Sequence, residues 1–196
     1  MTSPPLLVRQ MTAADCGHVG SIRVRGWQFA YRGLVPPSYL DALDPAEDAD
    51  RLRARLARAD AGASDLVAEP AGTGRIVGWA AHGPYRDGEQ RTEDAELYAL
   101  YVDPDHLGTG VGHTLLQESL RRRAALGHPR MFLWVLAGNE RARRFYERAG
   151  FRADGAEEPF QVAGVRVPEV RYVRSLTVPA PADGSPRRLG RPSEGP

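Results

Sequence analysis

Apolar residues change period several times along the chain, and each change marks an element. Leu6-Leu-Val-Arg-Gln-Met11 reads as a first strand. Thr12-Ala-Ala-Asp15 has the form of a capping box, with Asp where Glu or Gln is usual. The helix it opens runs to about Tyr31, with Val19, Ile22, Gly26 and Phe29 predicted to be buried. Arg23, Trp27 and Tyr31 form a second line beside them, at i, i+4 and i+8. Residues 32–37, ending in Pro36-Pro37, break the helix; a short helix over Ser38–Leu43 and a third over Ala46–Arg58 follow. In the third, Leu52 and Leu56 face in, and Arg51, Arg53, Arg55 and Arg58 make a solvated face. Asp65–Glu69 and Arg75–Ala81 predict a hairpin, and the polar stretch Gly83–Asp94 predicts a loop.

The second half is better marked. Leu97-Tyr-Ala-Leu-Tyr-Val102 is a buried-strand pattern, stopped by Asp103-Pro104-Asp105. Val111, Leu115, Leu116, Leu120 and Ala124 then recur at helical spacing. Arg130–Val135 predicts a further strand. Ala142, Phe145, Tyr146 and Ala149 define one face of a short helix, with Asn139 suited to its start and Gly150 to its end. Glu158–Val178 alternates around Gly164 as a final hairpin, in which Pro168 predicts a bulge or an edge. From Pro179 onward apolar residues nearly vanish, so the expectation is one domain over residues 1–178 and a disordered tail over 179–196.

Composition narrows the class. A chain of 196 residues supports one sizeable core. Its 26 basic residues, every one an arginine, nearly cancel 25 acidic ones, which argues against nucleic acid or an anionic membrane as partner. Cys16, the single cysteine, can form no internal disulfide, which together with the lack of a long apolar segment predicts a cytoplasmic protein. The five histidines are scattered, and neither a metal-ligand set nor a Ser/His/Asp set emerges.

The chemistry concentrates at residues 102–112. Between the strand and the helix lie Gly108, Gly110 and Gly112. A loop whose alternate residues lack a side chain that would block an anion, followed by the unpaired amides of a first helical turn, is a site for phosphate. A P-loop would require Gly-Lys-Ser/Thr after it, whereas His113-Thr114 follow Gly112 and lysine is absent. A dinucleotide fingerprint would require Gly-x-Gly-x-x-Gly, and His113 stands where the last glycine belongs. The stretch instead resembles motif A of the GNAT superfamily, the acetyl-CoA-dependent N-acetyltransferases, whose loop runs Arg/Gln-x-x-Gly-x-Gly/Ala. Leu107 departs from that pattern at the Arg/Gln place, while Gly110 and Gly112 match. Asn139-Glu-Arg-Ala-Arg-Arg-Phe-Tyr-Glu-Arg-Ala-Gly-Phe151 resembles motif B of the same superfamily at each of its marked positions.

That resemblance implies an α/β (α+β) fold: a mixed, twisted β-sheet flanked by helices and splayed between its central strands, 97–102 and 130–135. It implies acetyl-CoA as cosubstrate, with no metal. The coenzyme would be held by Leu100, Tyr101, Val102, Leu107, Gly108, Thr109, Gly110, Val111, Gly112, His113, Asn139 and Ala142. An exposed amide near Leu100 would polarise the thioester carbonyl. Glu96, at the start of the central strand, is implied as the base that deprotonates the amine, with Glu93 and Asp94 as substitutes; Tyr146 is implied as the acid for the departing thiolate. Trp27, Tyr31 and Tyr85 are candidate walls of the acceptor cleft, although aromatics at helical spacing are also ordinary core residues. The expected partner is an amine-bearing small molecule or peptide, and a homodimer is left open. A non-catalytic acyl-CoA-binding or interaction module of the same fold is the alternative.

Overall fold

The computed structural model describes residues 5–58, 62–87 and 90–176, without the side chains of residues 86–91. The tail expected over 179–196 lies outside the described residues. Twelve principal elements follow one another: β1 (Leu6–Gln10), α1 (Cys16–Ala30), α2 (Pro37–Asp41), α3 (Pro45–Ala57), β2 (Ser64–Pro70), β3 (Gly78–Asp87), β4 (Gln90–Val102), α4 (Val111–Ala125), β5 (Arg130–Leu136), α5 (Glu140–Arg148), β6 (Arg152–Val162) and β7 (Val165–Ser175). The strands form one sheet in the order β1-β2-β3-β4-β5-β7-β6. All neighbours are antiparallel except β4 and β5.

Local chemistry explains the ends of the helices. The Asp15 carboxylate accepts from the Thr12 amide (2.8 Å) and hydroxyl (2.9 Å), so the predicted capping box forms over a 3-10 turn that leads into α1. Asp44 caps α3 by accepting from the Ala46 amide at 2.7 Å, with Pro45 in the first helical position, where no N–H is needed.

Two layers of helix cover the sheet. On one face Leu115, Leu116 and Leu120 of α4 and Tyr146 of α5 pack over Ala95, Leu97, Met131, Leu133 and Tyr172. On the other, Val19 and Ile22 of α1 and Leu52 of α3 pack over Val67, Trp79 and Ala81. Among the described residues no helix is long and apolar enough to cross a membrane.

Three sequence expectations are corrected. Gly83–Asp94 is no loop: β3 and β4 continue their ladder out to Arg86↔Arg91 and Asp87↔Gln90. Its polar composition concealed a ladder that runs on past the helix layers. Phe29 is 51% exposed, lying under the Arg141 guanidinium, because Trp27 takes the buried position on α1. Pro168 lies on an inner strand, not an edge; it sits one residue beyond the last β5 pair, Leu136↔Glu169, where no N–H is called for, and its carbonyl accepts from Ala137. The irregularity in the final hairpin falls between Ala153 and Glu157.

Candidate functional site

The sheet is weakest at its centre. β4 and β5 pair only at Ala95↔Met131 and Glu96↔Phe132, and beyond these they part. From Leu97 to Val102 the edge of β4 therefore faces a gap with no strand to take its amides and carbonyls. A register shift in the β3–β4 ladder, between Ala81↔Ala99 and His82↔Leu97, leaves Tyr98 as the extra residue of a bulge beside that gap.

The gap is the floor of one cavity of about 1220 Å³. At one end it reaches the loop before α4. Arg25 of α1 holds that loop, donating to Asp103 at 2.8 Å and to Asp105 at 2.9 Å. Gly108 and Gly110 have φ of 80° and 91°, the left-handed region that glycine enters without steric cost. Gly110 is the N-cap of α4, and no side chain caps it. Thr114 is the residue whose amide first closes the helical ladder, onto the Gly110 carbonyl at 3.0 Å. The amides before it fan into the cavity mouth, where they and the helix dipole can hold an anion.

The other wall is α5 and the end of β5. The Asn139 side chain accepts from the Ala142 amide at 3.2 Å, so it is a helix cap, with its amide nitrogen left toward the cavity it lines. Arg143 fixes the helix by donating to the Ala137 carbonyl (3.0 Å) and the Tyr172 hydroxyl (3.0 Å). Tyr146 is buried at 8% exposure, and its ring meets Phe151 edge-on at 5.9 Å. Burial, reinforced by the neighbouring Tyr101, pushes its phenol well above the ordinary range, so it stays protonated.

Over the gap stands an aromatic group. Trp27 donates to the Tyr101 hydroxyl at 2.8 Å, meets Tyr31 edge-on at 4.8 Å, and touches Tyr39 and Phe160, each at 5.9 Å between ring centroids. Burial raises the Tyr31 and Tyr101 phenols as well. Trp27 and Tyr31 thus pack in a core and line the cavity at once, so the two sequence readings of them merge.

Leu100, Tyr101, Val102, Leu107, Gly108, Gly110, Gly112, His113, Asn139, Ala142, Tyr146, Trp27 and Tyr31 all line the cavity. Four expected site residues do not. Thr109 donates its hydroxyl to the His106 carbonyl at 2.7 Å, and the Val111 side chain is in the core, leaving only its backbone to the loop. Tyr85 stacks near Phe132, at 4.7 Å, beneath the guanidinium of Arg171. Glu96 is half-buried at the closed end of the fork, in register with Phe132. Of its substitutes, Glu93 is exposed and Asp94 is clamped by two hydrogen bonds from Arg130, at 2.7 and 3.0 Å.

Glu169 of β7 was missed. It lines the cavity, and burial together with Glu158 across the strand pair raises its carboxyl to about 7. The signal was present in the alternation: Glu169 shares a strand face with Val167, an apolar position of the final hairpin.

Comparison with known proteins agrees with this architecture. The family model for the acetyltransferase (GNAT) family matches residues 27–151. The chain is 30% identical over 163 residues to the N-acetyltransferase YuaI of Bacillus subtilis, covering 83% of this chain and 89% of that one. An N-acetyltransferase of Mycobacterium tuberculosis is 32% identical over 145 residues, covering 74% and 86%. Among solved structures, the PaiA N-acetyltransferase from Thermoplasma acidophilum in complex with coenzyme A superposes with a TM-score of 0.69 at 18% identity, over 87% of this chain and 99% of that one. YncA from Salmonella typhimurium, with acetyl-CoA, gives 0.66 at 22%, over 92% and 99%. With the fork, the glycine loop and α5 in one matched segment, the chain belongs to the GNAT family of N-acetyltransferases.

Proposed function

We propose that the protein transfers the acetyl group of acetyl-CoA to a primary amine of a small molecule or peptide, by direct attack within a ternary complex. One observation carries the reading: a single cavity runs from the amide fan of α4, along the unpaired edge of β4, to Tyr146 and the aromatic group over the gap. The coenzyme's pyrophosphate would lie on the Gly108–Gly112 amides, and its pantetheine arm along Leu100–Val102 and Asn139. The thioester would then meet the edge of β4 near Leu100, whose amides, fixed in place and shielded from water, stabilise the developing oxyanion. PaiA and YncA were solved with coenzyme A and acetyl-CoA, which supports the coenzyme assignment.

Tyr146 acts on sulfur. Its buried, protonated phenol donates to the departing thiolate. Glu96, the base implied by the family resemblance, stands half-buried at the closed end of the fork and does not line the cavity, so the group that receives the amine proton is left to the carboxylates that do. Incubation with acetyl-CoA and a panel of primary amines, read as thiol release, tests the reading. Turnover with at least one amine is expected. Tight binding of coenzyme A with no acetyl transfer to any amine would favour a non-catalytic binding module.

A further inference from the structure

The cavity walls carry three carboxylates, Asp48, Glu140 and Glu169. Two are already neutralised. Asp48 is bound by Arg23 and by Arg51, and Glu140 by Arg144 at 2.9 Å. Among the described residues no side chain donates a hydrogen bond to Glu169, and none forms an ion pair with it.

Its surroundings explain both facts. Glu169 closes the β5–β7 ladder opposite Leu136 and lies on the face of β7 that carries Val167. The charged and titratable groups that face it come from four elements. Glu158 is its cross-strand partner on β6. Tyr31 of α1 and Tyr101 of β4 lie within electrostatic reach and are neutral. Arg171, two positions along on the same face of β7, is engaged elsewhere: it binds Asp154 at 2.8 Å and the Tyr85 hydroxyl at 2.8 Å, and lies over the Trp134 ring. A half-buried carboxylate beside another carboxylate, with no ion pair from any of the described residues, is a site that lacks its counter-ion. Trp27, Tyr31 and Phe160 line the same cavity; the Trp27 ring already carries the Arg23 guanidinium at 4.9 Å, while the aromatic bodies accept an apolar stem and the rings of Tyr31 and Phe160 can attract a cation.

We propose that Glu169 receives the acceptor: it binds the ammonium group of a primary amine on an apolar or aromatic stem and takes its proton. This rests on the acetyl-transfer reading above. In the reaction, one N–H proton passes to the Glu169 carboxylate and thence to solvent. The freed nitrogen lone pair forms the bond to the thioester carbonyl carbon. As the C–S bond breaks, a second nitrogen proton moves to the Tyr146 oxygen while the Tyr146 proton moves to sulfur. The products are the amide, coenzyme A thiol and one released proton. A carboxyl raised to about 7 suits this role, being partly ionised at neutral pH and basic enough to accept a proton.

The test uses benzylamine and its uncharged counterpart benzyl alcohol as probes, titrated calorimetrically into the protein saturated with coenzyme A. Benzylamine is expected to bind at least about tenfold more tightly, as befits a charge-assisted hydrogen bond. Glu169→Gln should abolish that preference while keeping its circular dichroism and losing no thermal stability. Kinetically, kcat/KM for benzylamine acetylation should rise through about pH 7 in the unaltered enzyme. Glu169→Gln should lose that rise and about 10²–10⁴-fold in rate, and Glu169→Asp should recover the rise. Equal affinity for the two probes, or binding of neither, overturns the proposal. So does a rise that survives in Glu169→Gln and disappears in Glu96→Gln, which would give the proton to Glu96. If the charge preference depends on Glu169 but no acetyl group moves, the acceptor site stands and the acetyl-transfer reading falls. If acetyl moves and Glu169→Gln is unchanged, the reverse holds.

Discussion

At the scale of the residue, the site depends on backbone conformation as much as on side chains. A Cβ at Gly110 would meet nothing within 4 Å, so the position is not crowded. The demand for glycine comes from its φ of 91°, which would cost a β-branched residue about 1–3 kcal/mol. Gly110→Val is therefore expected to distort the start of α4 and to place a branched side chain where the pyrophosphate must approach. Leu107→Ala removes only packing. Titration with coenzyme A should show a loss of affinity for Gly110→Val of at least about tenfold, as the loop relaxes away from the strained conformation that the ligand needs, and little change for Leu107→Ala. Equal affinities for Gly110→Val and the unaltered protein would remove the loop as the phosphate site. Tyr146→Phe makes a different claim. It deletes the proposed donor to sulfur while leaving a buried ring, so coenzyme binding should persist and turnover should fall by about 10²–10⁴-fold. Raising the pH, which supplies more free amine, should not restore it. A fully active Tyr146→Phe would move the role to another group while leaving the loop and the fork intact.

At the scale of elements, α4 is tied to the sheet by an unusual pair. Arg123 is 2% exposed and donates from Nε to His82 Nδ1 at 2.6 Å, and from a terminal nitrogen to the His82 carbonyl at 3.1 Å. His82 is fully buried and its Nδ1 accepts, so in the neutral ring the proton resides on Nε2, which has no partner among the described residues. Burial, then the adjacent guanidinium, lowers the imidazole to about 3 from a reference of 6.5. Because its folded value is depressed, the unfolded chain binds the extra proton between those limits. Stability is full above about 6.5 and falls as pH drops toward 3, at up to about 1.4 kcal/mol per pH unit. Glu169, raised to about 7, works in the opposite sense over part of the same window, because the folded state then holds the proton. Denaturant unfolding from pH 7 to 4.5 should show a smaller acid destabilisation in His82→Gln than in the unaltered protein. Identical slopes would mean that His82 protonates in place. Glu118, held down to about 2 by Arg121 and Arg122, loses its contribution mainly below its reference value of 4.5, at and beyond the acid end of this experiment.

At the scale of the whole molecule, the sheet consists of two halves, β1–β4 and β5–β7, joined laterally by two residue pairs. This division also governs how much could be read from the sequence. The Gly108–Gly112 loop and the Asn139–Phe151 segment were legible because each satisfies backbone and side-chain constraints at fixed spacing within one short stretch. Glu169 and Phe160 were not, since they reach the cavity only through the pairing of β7 with β5 and of β6 with β7, and non-local register leaves no mark on a local pattern. The departure of Glu96 from the cavity wall has the same origin: its distance from the gap is set by where β4 and β5 part. The gap itself leaves open strand edge that an elongated ligand can occupy, so coenzyme A should behave as a missing inter-strand element. If it binds the folded state alone, free coenzyme at about 100 times its Kd should add about 2.7 kcal/mol of stability, visible as a concentration-dependent rise in melting temperature. The added protection should also be local. Amide hydrogen exchange should slow most along residues 97–102, at 133–139 and in the first turn of α4, and little in β1 or β2, none of whose residues lines the cavity. Protection spread evenly over the sheet would instead place the coenzyme outside the fork. A pattern confined to α4 would mean that the phosphates bind while the pantetheine arm does not enter between the strands.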